Sequence, residues 1–549
     1  MTSPTEFNLS TVFGTVAAAV PDQEVLVWRD RRLTYRAMDA RIDGIAHYLV
    51  NQGLGVHVPR SELAGHESGQ DHVGLYLRNG NEYLEAMIGS FRARAVGFNI
   101  NYQYVEEELV YLLNDAKAAA LVFHAEFAPR VAAVLTRVPS LRVLIQVADD
   151  SGNTLLPGAV DYETVVTTPA PAAPMPVPLG EDAFLLYTGG TTGMPKGVIW
   201  RHHDVYVAAM GGRPFGSPDP YDSYEELAAA ARAANGGLRL LLTAPFMHGA
   251  AQWSSFHMIS TGGKIVLPDN VVRMDATDWL RTAEREGVVS LPVVGDAMAR
   301  PLVEELERGD YDMSALAAIS NGGAPISPGV RHRLLEALPN ILLLDAVGSS
   351  ETGIQMNHYS AAGNEAQTAV FSPEPDTGVV NDDRTRALRP GEGQGWLARR
   401  GLVPLGYLGD ATKTAATFPV IDGVRYSVPG DRAELLADGR IHLLGRDAVT
   451  INSGGEKIFA EEVERALAAH PDVADVIVAG RPSERWGSEV VAIVALRDGS
   501  TASDEDLLTE AGRHVARYKV PKAIIRRPSI SRSPSGKADY RWAKEQVTG

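Results

Sequence analysis

The chain has 549 residues, of which 45% are hydrophobic and 22% charged, and its formal net charge is −17. This length is too great for one core and predicts about two to four domains of ordinary globular composition. The acidic balance, without a basic stripe, argues against a nucleic-acid partner. Cysteine is absent, which excludes disulfides, thiolate-held metals and a cysteine nucleophile, so any thiol must come with a substrate.

The N-terminus carries one apolar run, Val12 to Val20, and the first basic residue is Arg29. A secretion signal needs basic residues ahead of its apolar run, so this run predicts the first helix of the fold instead. No stretch of about 20 apolar residues follows. We therefore expect a cytoplasmic protein without an integral membrane segment.

Strand and helix patterns alternate in the first part of the chain, which predicts βαβ units around a parallel sheet. A Pro/Ala-rich segment, Pro169 to Pro178, interrupts the alternation as an extended linker. The predicted strands are Glu24–Trp28, His72–Leu77, Ala95–Asn101, Ala118–His124 and Leu141–Val147, and the predicted helices run from Leu33 to Leu49, Asn81 to Arg94, Val105 to Ala116 and Phe127 to Arg137.

The rest of the chain shows three further sequence patterns. Strand and helix patterns alternate again and predict a second α/β subdomain, and short β runs from about Gly378 predict a β-rich subdomain. The chain after Arg446 predicts a small α+β domain with helices Ala460–His470 and Asp504–Tyr518. The predicted fold class is therefore α/β: a large N-terminal domain, residues 1–445, of two α/β subdomains and a β-rich subdomain, followed by a mobile α+β domain, residues 446–549. Strands of the second α/β subdomain are predicted at Leu238–Leu242, Lys264–Leu267, Val288–Val294 and Ile341–Leu344, and its helices at Ala297–Arg308 and Gly329–Leu338.

The stretch from Tyr187 to Val198 contains four glycines, three threonines and Lys196 after an apolar strand. Glycines let backbone N–H groups approach an anion, and the hydroxyls and the lysine add donors. The stretch predicts a cradle for a polyphosphate. It is not a P-loop, because Lys196 follows Pro195 and precedes Gly197.

Several other turns carry chemistry-bearing residues. Glu351, in the stretch Gly348 to Gly353, follows a predicted strand and is either a Mg²⁺ ligand or an acidic residue at a helix N-terminus. The glycine-rich turn Ser320–Pro325 suits close approach by a flat ring. Asp431 could accept from two ribose hydroxyls or be an ordinary turn residue. Glycine turns also occur at Gly445–Ala448, Asn452–Lys457 and Ser533–Lys537.

The order and spacing of these turns over essentially the whole chain resemble the adenylate-forming superfamily of acyl-CoA synthetases, peptide-synthetase adenylation domains and firefly-type luciferases. The resemblance implies ATP, Mg²⁺ and coenzyme A as cofactors, with a small-molecule carboxylic acid as substrate. Among the nucleotide-site residues it implies Lys537, Thr192 and Glu351 as catalytic. It assigns phosphate contacts to Thr188, Gly189, Gly190, Thr191, Thr192 and Lys196; adenine contacts to Gly322, Gly323, Ala324 and Asp345; a place beside the nucleotide to Ser349 and Ser350; ribose contacts to Asp431 and Arg446; Mg²⁺ binding to Glu351; and contact with the α-phosphate and the substrate carboxylate to a mobile Lys537.

The resemblance also assigns the remaining turns to the acyl-binding site, the coenzyme A site and the hinge. His248, in the segment Pro245–Gly249, becomes a gate of the acyl tunnel and a further catalytic candidate. The implied acyl pocket comprises His248, Gly249, Gly295, Gly323 and Gly348; the coenzyme A side comprises Gly454, Gly455 and Lys457; and the hinge comprises Asp447 and Ala448.

Three residues depart from the family pattern: Val347 replaces an aromatic residue, Ser350 replaces a threonine, and Ala448 stands at a hinge position usually occupied by Asp or Lys. The main reading is an acyl-CoA ligase that forms an acyl-adenylate and then, after domain rotation, the thioester. The alternatives are thioester formation alone, on an adenylate supplied by a partner ligase, and adenylation for another acceptor. A homodimer is a further expectation.

Trp200–Asp204, Gly295–Pro301 and Ile451–Lys457 resemble segments of actinobacterial ligases for steroid side chains and other bulky hydrophobic acids. Small residues around the implied tunnel would leave room for a polycyclic body. We therefore expect a steroid, terpenoid or long-chain fatty acid as substrate. An ordinary medium- or long-chain fatty acid remains open, as do a luciferase-like monooxygenase and a nucleotide sensor.

Overall fold

The computed structural model describes residues 5–188, 194–214, 216–365, 369–446, 449–453, 456–483, 487–532 and 536–548. The chain forms two compact units. The first comprises Met1–Leu291, Asp312–Leu316 and Leu402–Phe418, and the second comprises Pro292–Tyr311, Ala317–Gly401 and Pro419–Gly549.

The first unit contains, among the described residues, an eight-stranded sheet whose central strands are parallel. The predicted parallel sheet is thus present, but it ends in antiparallel strands at one edge. In spatial order the strands are Gly406–Tyr407, Lys196–Arg201, Ala183–Thr188, Val96–Asn99, His72–Tyr76, Ala118–His124, Val143–Val147 and Ala159–Asp161.

A second group of strands in the first unit pairs in the order Arg31–Thr34, Glu24–Trp28, Lys264–Leu267 and Arg239–Leu241, and Arg239–Leu241 pairs in turn with Ser290–Val293 through Leu240 and Ser290. Buried aliphatic and aromatic residues fill the space between these sheets and the helices. The described α-helices of the unit are Leu9–Ala19, Tyr35–Asn51, Asn81–Arg92, Glu106–Asp115, Ala128–Val134, Tyr162–Val165, His202–Ala209, Tyr224–Ala234, Gly249–Ser260, Ala276–Glu286 and Ala411–Thr417.

The second unit begins its sheet with two parallel strands, Ala318–Gly322 and Leu342–Ser349, and continues with antiparallel ones. Its α-helices up to residue 446 are Gly295–Leu306 and Pro328–Ala337. The antiparallel strands are Gly353–Ser360, Val370–Pro373, Thr377–Val380, Gly393–Arg400, Val420–Ile421, Val424–Ser427, Asp431–Leu435 and Ile441–Arg446.

The C-terminal part of this unit mixes helices and strands around its own apolar clusters. The hairpin Thr450–Ser453 and Glu456–Phe459 precedes a sheet of Val473–Ser483, Gly487–Leu496 and Ala523–Arg526. Its helices are Ala460–Ala468, Asp504–His514 and Tyr540–Thr548. The predicted α/β class with a small C-terminal α+β domain is confirmed.

Several predicted boundaries are wrong. The helix expected from Leu33 begins at Tyr35, because Arg31–Thr34 is a strand and the Thr34 hydroxyl caps the helix by accepting from Ala37 N at 3.2 Å. The helix expected over Phe127–Arg137 is α-helical only at Ala128–Val134, and 3₁₀ turns flank it. The helix predicted to reach Tyr518 ends at His514. Among the described residues, no helix is long and apolar enough to cross a membrane.

Candidate active site

The ends of the predicted phosphate loop lie opposite each other in the first unit. Thr188 ends one strand and Lys196 begins the next, and the two are antiparallel partners. Gly189, Gly190, Thr191 and Thr192 lie outside the described residues. The Lys196 Nζ lies 2.8 Å from Asp410 Oδ2. The hydrogen bond from Lys196, aided by Lys413 N–H, lowers the pKa of Asp410, so a carboxylate in the same unit already holds this lysine.

Two asparagines that sequence reasoning missed fix the backbone around the loop. Asn99 Oδ1 accepts from Tyr187 N at 2.8 Å, and its Nδ2 donates to Tyr187 O and to Met247 O at 2.8 and 2.6 Å. Asn79 Oδ1 accepts from Phe246 N at 2.8 Å, and its Nδ2 donates to Ala244 O at 3.0 Å. Each asparagine lies at or just beyond the carboxyl end of a parallel strand, where ligands of α/β sheets bind, and that position is the signal that could have identified both.

These hydrogen bonds fix the backbone of the segment that precedes His248. His248 is half-buried and precedes the helix Gly249–Ser260 as its N-cap residue. A Cβ at Gly249 would lie 2.7 Å from Leu186 Cδ2. A larger residue at this position would therefore require the Leu186 side chain to shift.

Glu351 lies in a tight turn of the second unit. The predicted strand that ended at Leu344 continues to Ser349 and pairs antiparallel with Gly353–Ser360, so Gly348 and Ser349 belong to a hairpin. The alternative that Glu351 begins a helix is therefore wrong. A Cβ at Gly348 would lie 2.3 Å from Gly353 O, which explains the glycine by the close approach of the two strands.

Hydrogen bonds fix the backbone of this turn. Glu351 N donates to Ser349 Oγ at 3.2 Å, and Ser427 Oγ donates to Glu351 O at 2.6 Å. Arg399, only 1% exposed, donates to Thr352 O at 3.1 Å. The turn therefore presents the Glu351 side chain from an anchored backbone. Ser350 lies in the same turn and is half-buried.

Asp431 and Arg446 are antiparallel partners on neighbouring strands, with Arg446 Nε 3.3 Å from Asp431 Oδ1. Burial raises the pKa of Asp431 in spite of the opposing charge of Arg446. The Arg446 side chain is 48% exposed. Solvent reaches the arginine, whereas the Asp431 side chain is only 18% exposed, so the attraction between the two is weakened by solvent on the arginine side.

Lys537 lies near these charges in the same unit. Burial of its ammonium, followed by the nearby Arg446, lowers the pKa of Lys537, while Glu351 and Asp431 act in the opposite direction. Lys537 nevertheless retains solvent exposure, which limits the size of the effect. A Cβ built on Gly323, whose φ is +81°, would lie 3.5 Å from Lys537 Cε. The lysine thus lies beside the glycine-rich turn.

The structure also locates the remaining predicted residues. Gly295 has φ +56°, and a Cβ there would lie 2.7 Å from Ala324 Cβ in the predicted adenine turn. Asp345 is 5% exposed, and its carboxylate contacts other side chains in the interior. Lys457 lies in the strand Glu456–Phe459. Asp447, Ala448, Gly454 and Gly455 lie outside the described residues.

Comparison with known proteins decides the family. The family model "AMP-binding enzyme" matches residues 13–408, and "AMP-binding enzyme C-terminal domain" matches residues 462–537. The chain belongs to the adenylate-forming family of AMP-binding enzymes. It is an AMP-forming acyl-CoA ligase, which is a type of acid–thiol ligase. Enzymes of this family use ATP and coenzyme A.

This AMP-binding enzyme is 57% identical over 545 residues to the medium-chain acyl-CoA ligase Mig of Mycobacterium avium, covering 99% of this chain and 98% of that protein. It is 39% identical over 536 residues to a 3-oxocholest-4-en-26-oate–CoA ligase of Rhodococcus rhodochrous, covering 96% and 94%. The anthranilate CoA ligase AuaEII in complex with anthranoyl-AMP shares its fold, with a TM-score of 0.80, 20% identity, and coverage of 99% and 98%.

Proposed function

We propose that the chain converts a hydrophobic carboxylic acid to its coenzyme A thioester through an acyl-adenylate, and that it performs both half-reactions. The observation that carries this proposal is the group of charged residues in the second unit. Lys537 lies beside Gly323 and is influenced electrostatically by Glu351, Asp431 and Arg446. This is the set of charges that a nucleotide and an acid undergoing adenylation require.

The first half-reaction needs positioning rather than proton transfer. A carboxylic acid with a pKa near 4 is ionised at neutral pH, so its oxygen is already a nucleophile. This oxygen attacks the α-phosphorus of ATP, the bond to the β-phosphate oxygen breaks, and pyrophosphate leaves. Lys537 would donate hydrogen bonds to the α-phosphate and to the carboxylate, so that two anions can approach each other.

Different residues would contact the ribose and the phosphates. Asp431 would accept from the ribose hydroxyls, with Arg446 beside it, and Lys196 with Thr188 would contact the polyphosphate. Glu351 suits Mg²⁺, because this ion usually takes one or two protein carboxylates together with phosphate oxygens. When bound, the ion would neutralise charge on the phosphates.

We further propose a domain boundary at residues 445/446, with rotation about Asp447 and Ala448 between the half-reactions. The thiol of coenzyme A would then approach on the side of Gly454, Gly455 and Lys457. Its sulfur attacks the acyl carbon, the bond to the AMP oxygen breaks, and AMP leaves with the electron pair. A thiol with a pKa near 8.5 is about a few per cent ionised at pH 7.

For the acid, we propose a bulky or long hydrophobic chain, with medium- to long-chain fatty acids and steroid side-chain acids as the two classes to compare. Support comes from the relatives, since one is named for medium-chain acids and another for a steroid acid.

The deciding experiment assays medium-chain, long-chain and steroid acids separately for pyrophosphate release with ATP alone and for thioester formation after coenzyme A is added. Mass spectrometry of the first reaction should detect acyl-AMP. Thioester formation only from a preformed adenylate, without acyl-AMP from acid and ATP, would instead favour a chain limited to the second half-reaction.

A further inference from the structure

A buried polar cluster underlies the glycine-rich turn of the second unit. We call Asn321, Arg331, Asp345 and His358 the Asp345 cluster. All four side chains are at most 8% exposed. Asn321 and Asp345 are partners on adjacent parallel strands, and Asp345 and His358 are partners on adjacent antiparallel strands. Three of the four residues therefore lie side by side across the sheet, next to the turn that begins at Gly322.

Asn321 connects this cluster to the turn. Its Oδ1 accepts from Gly295 N at 2.8 Å, and its Nδ2 donates to Ala324 O at 3.0 Å and to Asp345 Oδ1 at 2.6 Å. One side chain thus fixes backbone groups at both ends of the close approach between Gly295 and Ala324. The orientation of the Asn321 amide depends in turn on a charged acceptor, Asp345.

Two further residues fix Asp345. Arg331 Nη1 lies 2.5 Å from Asp345 Oδ2 and 3.1 Å from Ser360 Oγ, and His358 Nε2 lies 2.9 Å from the same carboxylate oxygen. The His358 ring stacks on Phe371 with its centroid 4.6 Å away. Burial opposes ionisation of Asp345, but His358 and Arg331 outweigh it and lower the pKa of the carboxyl.

We propose that Arg331 and His358 are positioning residues for the adenine ring: they orient Asp345, which through Asn321 sets the turn Gly322–Ala324. This inference rests on the proposed function, in which that turn contacts the ring. Neither Arg331 nor His358 touches the turn in the contacts above. Gly295 and Gly323 also belong to the predicted acyl pocket. The effect of the two positioning residues should therefore reach the base and can reach the acid, but should not extend to the polyphosphate or coenzyme A.

The test replaces Arg331 by methionine, which keeps the apolar stem and removes the charge. We expect the KM for ATP to rise about tenfold, equal to about 1.4 kcal/mol of binding free energy, with kcat much less affected. Inhibition by inorganic tripolyphosphate, which has no ring, should not change, and neither should the KM for coenzyme A. Arg331→Lys should restore part of the affinity for ATP.

Arg333→Met is the matched control, because Arg333 lies on the same helix and pairs with Glu307 at 2.6 Å, outside the Asp345 cluster. It should leave the KM for ATP unchanged. If Arg331→Met does not fold, His358→Gln provides the same test. An unchanged KM for ATP in a folded variant, or a parallel loss for tripolyphosphate and coenzyme A, would overturn the inference.

Calorimetric titration with AMP separates the two possible failures. If the unmodified protein does not bind AMP, the proposed nucleotide site is wrong. If the unmodified protein binds AMP, and Arg331→Met and His358→Gln bind it equally tightly, the positioning role is wrong while the nucleotide site stands. We expect the unmodified protein and Arg333→Met to bind AMP alike and the two cluster variants to bind it more weakly.

Discussion

Two lysines assigned to the same nucleotide lie in contrasting surroundings. Lys196, in the first unit, is held by Asp410 at 2.8 Å. Lys537, in the second unit, lies among charges of both signs, and burial with the nearby Arg446 lowers its pKa. The first lysine forms an ion pair with a carboxylate of its own unit. The second is subject to opposing influences, because burial and Arg446 lower its pKa while Glu351 and Asp431 raise it.

The largest expected effect is that of Lys537→Ala. Loss of one preorganised donor typically costs a hundredfold or more in rate, about 3 kcal/mol. We expect ATP–pyrophosphate exchange to fall by about that factor, and thioester formation from a preformed acyl-adenylate to be retained. Lys522→Ala, at an exposed lysine of the same part of the chain, is the control. Equal loss of both half-reactions would refute the assignment of Lys537 to adenylation.

Lys196→Met should have the next largest effect. If Lys196 contacts the polyphosphate as proposed, removing its charge should raise the KM for ATP about tenfold, equal to about 1.4 kcal/mol. Asp410→Asn is the matched variant, because it removes the counter-ion and keeps the lysine. We expect it to leave the KM for ATP unchanged or lower it. A rise as large as that in Lys196→Met would show that the ion pair matters, and the contrast between the two lysines would fail.

The pH profile of adenylation tests the lowered pKa of Lys537. The charged ammonium exists below its pKa, so a lowered value means that charge and activity are lost at a lower pH than the ordinary value of about 10.4 implies. We expect ATP–pyrophosphate exchange to decline on the alkaline side, and Lys537→Arg, whose side chain stays charged, to lose that decline. An identical alkaline decline in both proteins would assign it to another group.

A smaller effect concerns the pH dependence of folding stability. It comes from a buried ionisable group for which no catalytic role is proposed. Burial, with the neighbouring Glu461, raises the pKa of Glu464 from 4.5 to about 8. The folded chain binds this proton more tightly than the unfolded chain, so the contribution to stability is present below pH 4.5 and is lost as the pH rises to about 8.

Glu464→Gln should therefore remove part of the fall in melting temperature over that range, because glutamine still accepts from Val478 N–H without titrating. Thermal unfolding at several pH values measures this, with the exposed Glu505→Gln as control. A fall in Glu464→Gln as steep as in the unmodified chain would mean that Glu464 does not titrate in this window.

The sequence alone predicted candidate nucleotide-binding turns, because glycine turns after strands have a local physical meaning. Gly323 and Gly295 adopt left-handed φ values, and Gly348 permits a backbone approach that no side chain allows. Such demands act on single residues and can be read from their identity. The α/β class was predictable for a similar reason, since apolar periodicity is local.

Only the tertiary structure decided what each charge faces. Asp410 beside Lys196, and Arg331 and His358 beside Asp345, come from segments distant in sequence, and no local pattern predicts their pairing. The strand Lys196–Arg201 likewise depends on an antiparallel partner. So does the strand Leu342–Ser349, which continues beyond its predicted end. Periodicity and turn chemistry thus predicted the fold class and the candidate site residues, whereas long-range strand pairing and burial determined the orientation and supporting contacts of those residues.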